Sequence, residues 1–150
     1  MKREIKFRGY ATGIGWVYGS LINNLWTYSE LSQHEKGSPV FEIVTGKYDG
    51  DCWSDIAEQE GEAIMSVVPQ SVGEFTGITD ANGKEIYEGD IIDKTFKWVV
   101  AFEDCAFYAK NEYSKAYLLP EIIRKRRIAG CPIEIVGNAY ENANMLTRVK

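Results

Sequence analysis

Apolar and polar positions alternate with period two through much of this chain, and that period puts successive side chains on opposite faces of a strand. In residues 3–10, Ile5 and Phe7 share one face while Glu4, Lys6 and Arg8 share the other. This predicts a strand with Ile5 and Phe7 inward. Gly13 and Gly15 interrupt the pattern, and residues 16–22 read as the second strand of a hairpin with a loose loop. Residues 40–44 are apolar and β-branched, and residues 62–68 form another strand, closed by Pro69, which lacks an N–H for a central ladder.

The cleanest alternation lies further on, where Phe96, Trp98, Val100 and Phe102 interleave with Lys97 and Glu103. Residues 106–110 and 117–119 continue that strand as a meander. A helix is predicted over residues 120–127, because Pro120 suits a first helical position and Ala129-Gly130 ends it. Ile133 and Ile135 open a last strand. Residues 23–39 read as loop around a short strand at 26–31, and residues 47–61 as an exposed acidic loop with a helical turn at 54–59. Many short strands set apart by glycine turns indicate a small barrel or two packed sheets.

Residues 72–92 carry the strongest local signal. Asn82-Gly83 is a hairpin turn pair, since both residues tolerate positive φ. Asp80 can accept a hydrogen bond from the backbone two residues on, and Glu88-Gly89-Asp90 makes a second tight turn into the strand beginning at Ile91. This run, with Thr76-Gly77, then Asp80-Ala81-Asn82-Gly83, then Ile86-Tyr87-Glu88-Gly89-Asp90-Ile91, is similar to the signature of the YopX family. Arg3-Glu4-Ile5-Lys6-Phe7-Arg8 resembles the family's opening, and Gly137-Asn138-Ala139-Tyr140-Glu141-Asn142 its closing run. Glu74 departs from the pattern, where the family more often has Gln. The resemblance covers nearly the whole chain. It implies a phage or prophage protein with a mainly β fold related to SH3-type barrels, and it implies no activity. The expectation is one domain over residues 1–150, divisible into N-terminal strands at 1–66 and an SH3-like barrel at 67–150.

Composition narrows the class of partner. The formal charge of −5 opposes binding to nucleic acid by bulk electrostatics, which needs many cations to displace counterions. Aromatic residues make up 13% of the chain, which suits both pleated surfaces and binding surfaces. Cys52, Cys105 and Cys131 are odd in number and form no CxxC motif, so three reduced, mostly buried thiols are expected in a cytoplasmic protein. The charged N-terminus lacks the apolar core of a signal peptide, and no run of about 18 apolar residues predicts a membrane helix.

Candidate chemistry is sparse. The Asp80 segment fails as a calcium loop, because Gly83 comes at its fourth position and Lys84 at its fifth. Asp49, Asp51, Asp55 and Glu58 lie in a polar stretch and read as a solvated loop rather than tuned carboxylates. His34, the single histidine, sits in a polar run and reads as a surface side chain. Gly9, Gly13, Gly15 and Gly19 make no phosphate loop. Arg124, Lys125, Arg126 and Arg127 form the one basic concentration, which reads either as cations complementing a helix C-terminus or as phosphate contacts. Trp16, Tyr18, Trp26, Trp53, Tyr87 and Trp98 include candidates for an aromatic binding surface, with Trp98 expected in the core. No catalytic residue, cofactor or metal is expected. The expected function is therefore a non-catalytic module that binds a host or phage protein, the alternative being a nucleic-acid accessory protein using the basic run. No membrane partner is expected, and self-association stays open.

Overall fold

The computed structural model describes residues 3–24, 40–44, 64–112 and 116–146. Two compact units divide the chain, one spanning Ile5–Val72 and the other Gly73–Lys150 with Met1–Glu4. Eleven strands and one α-helix are found among the described residues.

In the first unit, strands β1 (Phe7–Ala11) and β2 (Gly15–Asn24) form an antiparallel hairpin in which Phe7 faces Gly19 and Ala11 faces Gly15. Strand β3 (Val40–Val44) pairs with the far half of β2, and β4 (Ile64–Val67) pairs with β3, giving the order β4-β3-β2-β1. Ala11, Val17, Ile43 and Val67 are buried, and Phe7, Leu21, Phe41, Met65 and Val72 pack around them. A 3₁₀ turn at Pro69–Ser71 follows β4, and Ser71 Oγ accepts the Tyr10 N–H at 2.7 Å while donating to the Val68 carbonyl at 2.6 Å.

The expected facing of the first strand is reversed at two positions. Ile5 is 67% exposed, whereas Arg8 is 7% exposed. The guanidinium of Arg8 lies 4.7 Å from the centre of the Trp16 ring, so a cation over an aromatic face takes the inward place that alternation gave to an aliphatic residue.

The second unit begins with a hairpin of β5 (Gly73–Thr79) and β6 (Glu85–Tyr87). A five-stranded antiparallel sheet follows, built from β7 (Asp90–Ile92), β8 (Trp98–Glu103), β9 (Ala106–Lys110), β10 (Ala116–Leu118) and β11 (Ile135–Asn138), in the order β10-β9-β8-β7-β11. Between β10 and β11 runs helix α1 (Leu119–Ile128), with Pro120 in its first turn and Lys125, Arg126 and Arg127 in its last. Leu119, Ile122 and Ile123 recur at helical spacing and bury one stripe against Ile86, Ile92, Trp98, Val100, Ala109 and Ile133. Burial of each such aliphatic side chain stabilises by about 1.5–3 kcal/mol.

The mainly β fold with antiparallel hairpins and one helix is as expected. The sheet ends at β10 and at β11, and no pairing among the described residues closes it into a barrel. Two expectations need correction. Phe96 lies outside β8, in the loop before it, and is 49% exposed, because Lys97 takes a positive φ of 49° that ends the extended backbone. Cys105 and Cys131 are exposed thiols rather than buried ones, since one sits in the β8–β9 turn and the other just beyond α1. Cys52 lies outside the described residues.

Candidate functional site

The loop joining β7 to β8, Asp93 to Lys97, is held at both ends by residues in the left-handed region, Asp93 at φ 68° and Lys97 at φ 49°. Such backbone costs about 1–2 kcal/mol at a non-glycine residue and persists only where neighbouring bonds impose it. Those bonds are present. Asp93 N–H donates to the Glu134 carbonyl at 3.0 Å, and Lys97 N–H donates to the Asp93 carbonyl at 3.0 Å. The Asp93 carboxylate accepts Thr95 N–H at 2.8 Å and Phe96 N–H at 3.1 Å through Oδ1, and the Arg126 guanidinium at 2.6 Å through Oδ2. Burial pushes this carboxyl upward, but the Phe96 and Thr95 N–H groups and Arg126 outweigh it and hold its pKa below the usual aspartate value.

Helical spacing explains why Arg126 reaches this loop. It follows Ile122 by four residues and Ile123 by three, so it extends the buried stripe of α1 over the sheet. Its guanidinium carbon lies 5.5 Å from the centre of the Phe96 ring. Phe96 in turn stacks on Trp98, with centres 5.0 Å apart and planes at 16°, and Tyr117 meets Trp98 edge-on at 6.1 Å. Trp98 is buried as expected, at 4% exposure. The result is a layered corner of Arg126, Phe96, Trp98 and Tyr117, bordered by the exposed Lys94 and Lys97. Two buried donors in this stack, Trp98 Nε1 and Arg126 Nε, have no hydrogen-bond partner among the described residues. A shallow hollow beside it is lined by Asp93, Lys94, Thr95, Arg126, Cys131 and Glu134 among others, and Lys94 pairs with Glu134 at 3.5 Å.

The basic run is thus divided by the structure. Arg126 folds inward to Asp93, Arg127 lines a small hollow with Asp80 and Ile123, and Arg124 and Lys125 are exposed. The sequence reading missed Asp93, Lys94, Phe96 and Lys97. The one available signal was the i, i+3, i+4 relation of Arg126 to Ile122 and Ile123.

The family-signature residues form the scaffold behind this corner. Asp80 Oδ1 accepts N–H from Asn82 and Lys84, each at 2.9 Å, and Oδ2 accepts the Ile135 N–H at 3.1 Å, tying the β5–β6 turn to β11. The hairpin turn expected at Asn82-Gly83 is present, within a loop from Asp80 to Lys84 that Gly83 N–H closes onto the Asp80 carbonyl at 3.0 Å; of the pair only Gly83 has positive φ, at 78°. Thr76 Oγ1 donates to the Ile86 carbonyl at 2.8 Å, and Gly77 is exposed within β5. Tyr87 is 2% exposed, packs on Phe75 at 5.5 Å and donates its hydroxyl to Glu85 at 2.8 Å. Asp90, 1% exposed, accepts Tyr87 N–H at 2.8 Å. Gly89 N–H donates to the Val100 carbonyl at 2.8 Å, and Ala139 N–H donates to the Gly89 carbonyl at 2.7 Å. Burial chiefly, with Glu74 as a like charge, raises the pKa of Glu88 against the lowering effect of the Phe102 and Glu74 backbone. Gly137 lies at a register shift in β11, and Asn138 Oδ1 accepts Glu141 N–H at 2.8 Å. Tyr140 is 40% exposed.

His34, Asp49, Asp51, Asp55, Glu58, Trp26 and Trp53 lie outside the described residues. Among the described residues no three His, Cys, Asp or Glu side chains gather as a metal ion would require, and no helix is long and apolar enough to cross a membrane.

A family model described as YopX protein matches residues 18–147. Among solved structures, protein EF1440 from Enterococcus faecalis is similar, with a TM-score of 0.54 and 20% identity over 97% of this chain and 100% of that one. At that identity the likeness speaks for the fold alone. The search of curated proteins found no match.

Proposed function

The chain belongs to the YopX protein family, and from that premise we propose that it is a non-catalytic binding module of phage or prophage origin, acting in the cytoplasm of its bacterial host and engaging a host or phage protein. The sheet of β7 to β11 with α1 is read here as an SH3-like platform, and the corner around Phe96 is its recognition surface.

One observation carries the reading. Phe96 is half exposed yet already fixed by its stack on Trp98 and by Arg126 over its ring. Aromatic and Arg side chains dominate the binding energy of protein interfaces, and a ring ordered before binding loses little rotamer freedom on contact. The buried carboxylates support the same view. Asp80 and Asp90 of the signature segments, and Asp93 beyond them, accept backbone N–H groups, which suits holding the platform better than proton transfer.

A nucleic-acid accessory role through Arg124, Lys125, Arg126 and Arg127 is the second reading, favoured by the exposure of Arg124 and Lys125. Against it stands Arg126, whose charge is matched by Asp93. The test is retention from host extract on the tagged full chain, with and without nuclease, comparing the natural sequence with Phe96→Ser. A protein retained in both arms and lost from the variant is the expected result. Retention that vanishes with nuclease overturns it in favour of the second reading, and partners held equally by the variant overturn the assigned surface.

A further inference from the structure

We propose that the partner of the Phe96 corner presents an acidic segment of polypeptide, with carboxylates placed beside an apolar side chain. This rests on the binding reading above and names its chemistry.

The corner joins three features that ask for that ligand. First, its exposed ring is bordered by cations: Lys94 and Lys97 flank Phe96 on the same loop, and Arg126 lies over the ring. The carboxylates nearby are already matched, Asp93 with Arg126 and Glu134 with Lys94, so Lys97 and the last-turn Lys125 add positive charge with no acidic partner among the described residues. In a chain of net charge −5 this is a local reversal of sign, and it draws an anionic ligand to one place. Second, Arg126 and Trp98 each keep a buried N–H donor with no partner among the described residues. Unmet buried donors are costly, and an acceptor-bearing ligand relieves them. Third, Phe96 supplies an apolar surface between these polar groups, which a bare inorganic anion would not use.

Single-stranded nucleic acid shares the negative charge but fits less well. Base stacking needs a free aromatic face. Here Trp98 already stacks on the ring and the Arg126 guanidinium is held over it, so a base would have to compete with both. A polyanion also needs many phosphates neutralised, against a chain with 22 acidic and 17 basic residues. A short acidic segment needs only the few cations present.

The experiment uses the full chain and three fluorescein-labelled probes in anisotropy titrations at low and moderate salt. One is a synthetic peptide of Glu and Asp around a central Phe-Leu pair, the second is its Gln and Asn counterpart, and the third is an oligo(dT) of equal charge. The expected result is that the acidic peptide binds best, with its neutral counterpart about tenfold weaker or worse. Phe96→Ser and Lys97→Glu should each weaken the acidic peptide by about tenfold, and Lys97→Glu should flatten the salt dependence. The Trp98 indole resonance verifies that both variants stay folded. Tighter binding of oligo(dT), equal binding of the acidic and neutral peptides, or indifference to both substitutions overturns the proposal, as does binding of none of the probes. A Phe96-dependent protein captured from host extract that lacks any acidic stretch overturns the acidic chemistry alone and leaves the binding module standing.

Discussion

Replacing Asp93 by Ala removes the group on which the β7–β8 loop and the end of α1 converge, and the cost can be worked out by parts. The Asp93 and Arg126 side chains are 5% and 24% exposed. Breaking a fully buried ion pair from one side costs about 3–5 kcal/mol, but Arg126 retains some water, so about 1–2 kcal/mol is the fitting share. Oδ1 also accepts the N–H groups of Thr95 and Phe96, residues exposed enough for water to replace it, which adds about 0.5–1 kcal/mol each. Ala at φ 68° adds about 1 kcal/mol of backbone strain that Asp tolerates better. The total for Asp93→Ala is therefore about 3–5 kcal/mol. Asp93→Asn keeps an acceptor and the tolerance for positive φ, so it should cost about 1–2 kcal/mol. Urea titrations followed at the indole resonance of Trp98, the single Trp of Gly73–Lys150, give both values. A double-mutant cycle with Arg126→Met should return a coupling of about 1–2 kcal/mol. The sign with pH follows from the lowered pKa of Asp93: its contribution is present above the unfolded aspartate pKa and is lost as pH falls through the folded value, so the natural chain and Asp93→Asn converge in acid. An Asp93→Ala cost within about 0.5 kcal/mol of zero, or strict additivity in the cycle, would refute the reasoning.

Three further outcomes are expected. Asp80→Ala should destabilise by about 3–4 kcal/mol in the same titration, since a carboxylate 8% exposed loses three backbone N–H groups from two elements, and Asp80→Asn should recover only part of it. Gly73→Ala should cost about 2–3 kcal/mol by chemical denaturation, because the added Cβ would strike the carbonyl oxygen of Glu88, which is backbone and cannot swing aside. Glu88→Gln should stabilise the protein at neutral pH, as thermal melts across pH would show. With its folded pKa raised, Glu88 binds a proton more tightly in the folded state, so stability falls as pH rises from the ordinary glutamate range through the raised value. The variant loses that slope, and a slope left intact would mean another group is responsible.

The elements readable from sequence alone were those whose cause is local. Pro120 at its start and Ala129-Gly130 at its end mark α1 within nearby residues, and period-two alternation over a few positions marks β8. The Asp80 side chain reaches back to its own turn, so its bond to Asn82 N–H was legible too. What alternation cannot carry is the identity of a partner far along the chain. It gave Arg8 an outward place, yet Arg8 is buried over Trp16, because a cation–π contact and an aliphatic stem can occupy an inward position. It counted Phe96 as a strand residue, whereas Lys97 at positive φ turns Phe96 into an exposed loop residue.

The candidate site was the least legible feature, for the same reason. Asp93 and Arg126 are 33 residues apart, and each looks unremarkable among its neighbours in sequence. Composition and pattern determined that the described residues would build short antiparallel strands, the helix after Pro120 and a signature hairpin, because those follow from side-chain periodicity and turn chemistry over a few residues. Only the tertiary structure decided that one of four adjacent basic residues would turn inward to an aspartate and cap an exposed aromatic ring. That choice depends on how the buried stripe of α1 packs into the core it shares with the sheet, and packing between distant elements is written in no local stretch of sequence.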